Sequence, residues 1–323
     1  MQPLSTPLKS WASWLLHPTT PGQRPDLPKP KLWVFAVCAL ALAAQVVARY
    51  NGVLFPEVWL GLHVAAGWAL VLAVLRLAYG PGYLASWSRQ TWTTLGAGYV
   101  FLLLFWHLGR MDSYGRWVAP HLPPDFPLLN VMPFAYFVAG AVVFRLLLPA
   151  LLARRLLGTG VADLGLWRPR DTESRKVWPL YLVLYLVVLP SVVYASGTPA
   201  FQARYPLARA LIQNGGIDVL EFAVYALSYS LVFVSGEFFW RGWFAFGSER
   251  DLGPHALLFA LVPYVCGHFG KPLPETLGAI AAGTVLGWLA LKHRSVWLGV
   301  AVHYGVALTM DLLAIFRGGL HWQ

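Results

Sequence analysis

Nine apolar runs, each near the length of a bilayer crossing, alternate with short polar connections along the chain. They cover residues 32–48, 58–78, 92–108, 130–153, 177–196, 218–246, 254–269, 275–292 and 295–316. Stretches such as Leu32 to Ala48 and Val58 to Leu75 continue for about 17–20 residues with hardly a charge, which is the length of helix that a hydrocarbon core requires. The pattern predicts an all-α polytopic integral membrane protein with about eight to nine transmembrane helices. The eighth run is the weakest. Gly278, Gly283 and Gly287 lower its helix propensity, although small residues at that spacing also let helices approach closely. No internal repeat is visible.

Composition strengthens the membrane reading. Hydrophobic residues make up 58% of the chain and charged residues 12%, about half the charge of a soluble domain. The formal charge of +10 does not point to nucleic acid, because the basic residues form no tract with interleaved aromatics. They sit in short loops, where they face the cytoplasm and anionic lipid. Sixteen tryptophans recur near span ends, among them Trp33, Trp59, Trp92, Trp117, Trp178 and Trp297, as in an interfacial aromatic belt. Cys38 and Cys266 lie inside apolar runs, so there is no disulfide framework and no metal-type cysteine spacing. Residues 1–31 show no signal-peptide pattern. Leu4, Leu8, Trp11, Leu15 and Leu16 recur at roughly helical spacing before a Pro-rich stretch from Pro21 to Pro30, the mark of a short interfacial helix or a disordered arm.

Charge sets the orientation. With the N-terminus in the cytoplasm, sixteen Lys and Arg fall inside, seven fall outside and Arg145 lies within a span. That bias predicts a cytoplasmic N-terminus in a bacterial-type cytoplasmic membrane. The basic loop 154–176, with Gly-Leu-Trp-Arg-Pro-Arg at 165–170, separates a four-span region (32–153) from a five-span core (177–316), and 317–323 is a short tail. The front region has no cluster of ionisable residues beyond Arg145 and reads as scaffold or lipid contact.

The core instead concentrates polar groups in its spans: Glu221 and Glu237 on the sixth, His268 on the seventh, His303 and Asp311 on the ninth. An ionisable group in a bilayer costs a few kcal/mol or more, so each asks for a reason. At about 1.5 Å per residue, Glu237 lies roughly 13 Å from Phe246, His268 roughly 20 Å from Pro254 and His303 roughly 12 Å from Ser295. All three therefore reach overlapping depths, which predicts an intramembrane polar cavity among the C-terminal helices. Each also has a plainer explanation. Glu237 and Arg241, spaced i,i+4, make a structural ion pair; His268 caps its helix; His303 bonds a neighbouring carbonyl.

The order of these residues resembles the CAAX-protease and bacteriocin-processing (CPBP, or Abi) family of intramembrane proteases. Ser235-Gly236-Glu237-Phe238-Phe239-Trp240-Arg241-Gly242 is similar to its Glu-Glu-x-x-x-Arg motif. Tyr264-x-x-x-His268 is similar to the second motif, and Ser295 to His303 to the third. The resemblance covers residues 218–316. It implies an endopeptidase acting on a membrane-embedded or lipidated peptide in the lipid bilayer. In that family the first Glu and the second-motif His activate a water, and the third-motif His with an Asn four residues later stabilises the oxyanion. The second Glu and the Arg support them. A carboxylate in a low-dielectric cavity suits general-base work, and aimed donors suit the tetrahedral intermediate.

The chain departs from the pattern twice. The first Glu is Gly236, so Glu237 matches the supporting carboxylate, and the Asn is Ala307. Glu237 stands about 100° around the helix from position 236. Asp311, about 80° around and about 12 Å along from His303, cannot simply replace the Asn. Glu275, after Lys271-Pro272-Leu273-Pro274, either folds back toward the cavity or caps the next helix. The candidate catalytic residues are thus Glu237, His268 and His303, with Arg241, Tyr264, Asp311 and Glu275 in support and no cofactor. Zinc held by Glu237, His268 and His303 is the alternative. His-Glu-x-x-His, Gly-x-Gly-Asp and Gly-x-Ser-x-Gly are all missing, which removes the other membrane-protease chemistries. The rival reading is a catalytically inactive relative, a scaffold or immunity-type protein that kept the fold. A transporter comes third, without the inverted repeats and broken helix pairs that would mark it.

Overall fold

A computed structural model describes residues 26–56, 59–123, 131–166 and 177–323. The interfacial helix expected before Pro21 lies outside the described residues, as do positions 167–176 of the basic loop. Among the described residues, nine helices carry the architecture: α1 (Leu32–Tyr50), α2 (Leu60–Tyr79), α3 (Arg89–Leu108), α4 (Met132–Arg155), α5 (Trp178–Ala195), α6 (Val219–Glu237), α7 (Ala256–Cys266), α8 (Leu273–His293) and α9 (Trp297–Arg317). Among the described residues, seven helices are long and apolar enough to cross a membrane. The count is eight if α3 and the segment Met111–His121, bent against it by 60°, form one crossing.

The sixth and seventh apolar runs are joined in the structure. From Val219 to Cys266 the helical path runs 48 residues, as π-type turns over Phe238–Phe246 and a further helix at Gly247–Leu252 lead from α6 toward α7. A straight helix of that length would measure about 72 Å, more than twice a hydrocarbon core. The path breaks at Gly253, whose φ of 54° and ψ of −138° glycine adopts without steric cost.

The chain forms two compact units that interleave along the sequence. One takes in residues up to Ala97 together with Trp243–His293; the other is Gly98–Gly242 with Arg294–Gln323. In the first, α7 packs on α2 and α8. Small residues make these approaches possible. A Cβ on Gly67 would stand 2.5 Å from Val262 Cγ1, and one on Gly283 would stand 2.7 Å from Leu261 Cδ1. Gly283 thus serves close packing in a helix that its glycines do not break. Trp68 Nε1 donates to Phe259 O at 3.0 Å, Trp243 Nε1 donates to Thr94 O at 2.9 Å, and buried Asp251 accepts from Thr91 Oγ1 at 2.8 Å.

In the second unit α9 packs on α5 and α6, and α6 on α4. Tyr225, Tyr229 and Phe233 recur every four residues on α6 and meet Val138, Ala141, Val300 and Ile315 in a buried apolar cluster. Helices in lipid gain little from apolar burial alone, so polar links matter more. Tyr304 Oη donates to Ala226 O at 2.8 Å and Tyr185 Oη meets Thr309 Oγ1 at 2.7 Å. The start of the basic loop is tied to α9, because Trp297 Nε1 donates to Leu166 O at 2.6 Å and Val296 N to Gly165 O. The tail adds a two-residue parallel pairing of His321–Trp322 with Gly216–Ile217. Leu182, Val183, Leu186 and Val187 of α5 are exposed, an apolar face suited to lipid.

Candidate active site

Asp218 begins the local construction of the site. Its carboxylate accepts from Glu221 N at 2.8 Å and starts α6, as an N-cap residue does. Glu221 is exposed in that first turn, where a carboxylate complements the helix dipole; it takes no part in the buried polar group. Five turns on, at the end of α6, Ser235, Gly236 and Glu237 are all buried.

Glu237 is 1% exposed and holds two cationic or donor groups on one oxygen. Its Oε1 lies 3.1 Å from Arg241 Nη1 and 2.9 Å from His303 Nδ1. Arg241 reaches it from the first of the wider π-type turns, a helix form that recurs at functional sites. Because an ionised carboxylate cannot donate, the histidine contact is Nδ1–H to Oε1. That assignment puts the ring lone pair on Nε2. His303 keeps a quarter of its side chain exposed, with the Phe233 ring edge-on at 4.8 Å. The other oxygen, Oε2, is buried without a hydrogen-bond partner. It backs onto Gly299 of the third motif, where an added Cβ would stand 2.6 Å from it. Glycine at 299 is what allows α9 to lie this close to the carboxylate.

A second guanidinium enters from the front region. Arg145 lies in a π-type stretch of α4, Val143–Leu147, and is 7% exposed. Its Nη2 donates to Val232 O at 2.9 Å and to Ser235 Oγ at 3.1 Å, and its cation lies 4.5 Å from the Phe105 ring centroid. The Cβ position that Gly236 lacks points at this residue. A Cβ built there would have Arg145 Nη1 at 3.6 Å and Trp240 Nε1 at 3.7 Å as its nearest neighbours. Sequence reasoning placed Arg145 with the scaffold. The signal that could have found it is the cost of an arginine in mid-span, which scaffold alone does not justify.

The remaining candidates stand as follows. His268 belongs to the other compact unit. Its Nδ1 lies 2.8 Å from Tyr264 O, the Tyr264 ring packs edge-on at 4.7 Å, and its carbonyl accepts from Thr276 Oγ1 at 3.0 Å. Tyr264 therefore orients the second-motif histidine through its carbonyl and its ring. Glu275, in the first turn of α8, pairs with Lys271 at 2.7 Å, the capping arrangement. Asp311 is fully buried and accepts from Tyr225 Oη at 2.5 Å and from Leu207 N at 2.9 Å. It fastens the α5–α6 connection to α9. Ala307 packs against the apolar cluster of α6, so that position offers no donor. Among the described residues no group of three or more His, Cys, Asp and Glu is arranged to hold a metal ion.

Residues 218–309 match the family model described as type II CAAX prenyl endopeptidase, Rce1-like. That stretch contains Gly236, Glu237, Arg241, His268 and His303. No curated protein matches the chain, and no solved structure does.

Proposed function

With residues 218–309 carrying the sequence of the type II CAAX prenyl endopeptidase Rce1-like family, we propose that the chain is an intramembrane endopeptidase acting on a membrane-embedded or lipidated peptide. One observation carries the reading: His303 Nδ1 meets the buried Glu237 carboxylate at 2.9 Å. A carboxylate behind an imidazole fixes its tautomer and stabilises the imidazolium formed when it takes a proton. His303 Nε2 takes a proton from water while the water oxygen bonds to the scissile carbonyl carbon and the carbonyl electron pair moves onto its oxygen. Glu237 compensates the charge through Nδ1–H, and Arg241 holds Glu237 in place. The oxyanion then re-forms the carbonyl, the carbon–nitrogen bond breaks, and His303 returns its proton to the leaving amine. In the family that the chain resembles, the second-motif histidine, here His268, takes part in activating a water. His303 as base differs from the oxyanion role that the family gives this histidine, and the vacant position 236 is the reason.

The test is cleavage of a membrane-peptide library by purified protein. Wild type yields a new carboxyl and a new amino terminus at a rate unchanged by a zinc chelator. His303→Ala and His268→Ala each lower the rate by about 10²- to 10⁴-fold, the range for removing an acid–base group. Wild-type rates in His303→Ala would remove that residue as base. Gly236 and Ala307 favour a second reading, a non-catalytic relative that kept the fold, and wild-type protein that cleaves nothing in the library would establish it.

The same reading places the N-terminus and the loop 154–176 in the cytoplasm, on the strength of six basic residues in a short connection. A single cysteine at Thr159 stays unreactive toward an impermeant thiol reagent applied to intact cells and reacts after lysis. Labelling from outside would invert the topology.

A further inference from the structure

We propose that Arg145 is the anion-stabilising cation of this site, meeting the oxygen that turns negative when water adds to the substrate carbonyl. The proposal rests on the hydrolytic reading above and supplies the group that Ala307 lacks.

Charge balance is the first argument. Two guanidinium groups, Arg145 and Arg241, are buried beside a single carboxylate. Glu237 Oε1 is already shared by Arg241 and His303. Arg145 has no carboxylate of its own: its contacts are a carbonyl, a hydroxyl and the face of Phe105. Its Nε is buried without a partner. Its counter-ion is the Glu237 carboxylate, which it shares with Arg241; a mid-span arginine on a shared counter-ion is costly, and such residues mark functional sites.

Geometry is the second. Arg145 Nη1 faces the bare backbone of Gly236, 3.6 Å from where a Cβ would sit, one residue from the carboxylate that carries His303. A larger side chain at 236 would press on that guanidinium; glycine leaves the backbone bare beside it. The cation is held in advance by Val232, Ser235 and Phe105, so it need not reorganise when charge develops, which is the condition for strong electrostatic stabilisation. The proton taken from water stays on His303 against Glu237, so the negative oxygen and the proton are held by different groups.

Two inert ligands test this without requiring turnover. A phosphinate dipeptide isostere on an N-acyl chain carries a negative tetrahedral centre, and the hydroxyethylene isostere on the same chain has the shape without the charge. Wild-type protein in micelles binds the phosphinate at least about 100-fold tighter, as expected for a transition-state mimic. Arg145→Gln brings the ratio of the two Kd values to within a few fold, and Arg145→Lys keeps most of it. Gly236→Glu supplies a carboxylate beside Arg145 and also collapses the ratio, by neutralising the cation instead of deleting it. A purely structural Arg145 would alter both affinities together and leave the ratio unchanged, which would overturn the proposal. If Arg145→Gln does not fold, the ratio in Gly236→Glu decides, and a retained preference there overturns it equally. Wild type that binds both ligands alike sinks the assignment of Arg145 alone. Wild type that binds neither sinks the hydrolytic reading, and this proposal with it.

Discussion

Glu237→Gln lowers the rate of peptide cleavage by about 10³- to 10⁴-fold, the scale on which a hydrolase loses activity when the carboxylate behind its imidazole becomes an amide. A glutamine keeps the shape, and its oxygen can still accept from Arg241. It cannot balance an imidazolium, and its amide nitrogen favours the wrong tautomer of His303. The loss falls on turnover and leaves KM nearly unchanged, because a group acting in proton transfer contributes only in the transition state. The measurement is the cleavage rate of a membrane peptide by purified variant beside wild type. Cleavage by Glu237→Gln at the wild-type rate would separate the carboxylate from the chemistry and leave it a structural ion pair.

Arg241→Met has the largest expected effect on stability. The arginine is 2% exposed and its Nη1 lies 3.1 Å from Glu237. Removing one partner of a buried pair leaves an uncompensated charge and costs about 3–5 kcal/mol, whereas replacing both partners by neutral groups costs much less. The double variant Glu237→Gln/Arg241→Met therefore loses less stability than the two single changes added together. A double-mutant cycle on unfolding in micelles reads that coupling directly. Strictly additive losses would show that the two side chains do not stabilise one another.

The part of this site legible in the sequence was the part written along single helices or shared depths. Glu237 and Arg241 stand i,i+4, and depth estimates brought His303 to the level of Glu237. Tyr264 and His268 were likewise one turn apart, and the structure joins them through a carbonyl and a ring contact. Arg145 was not legible as a neighbour of Gly236, because that proximity is set by the packing of α4 on α6 and by π-type turns that a 3.6-residue period does not anticipate. Asp311 was read as support for the site from its place on α9. Its actual partners, Tyr225 and Leu207, include a backbone N–H from a connection that hydrophobic pattern does not position. The join between the sixth and seventh runs is a similar case. Apolar length divides the chain well, but the backbone turn at Gly253 inside one continuous helical run is a property of φ and ψ.

The interleaved units also set an order in time. The first unit needs Trp243–His293 to complete what begins before Ala97. Trp68 finds its acceptor on Phe259, and Thr94 waits for Trp243. At about 5–20 residues per second, α2 is complete roughly 8–33 s before the segment that covers it begins to emerge. During that interval Gly67 and the indole N–H of Trp68, both on α2, have only lipid and α1 for company. A nascent chain in this state is open to capture by insertion chaperones, and to quality control if synthesis stalls before residue 243.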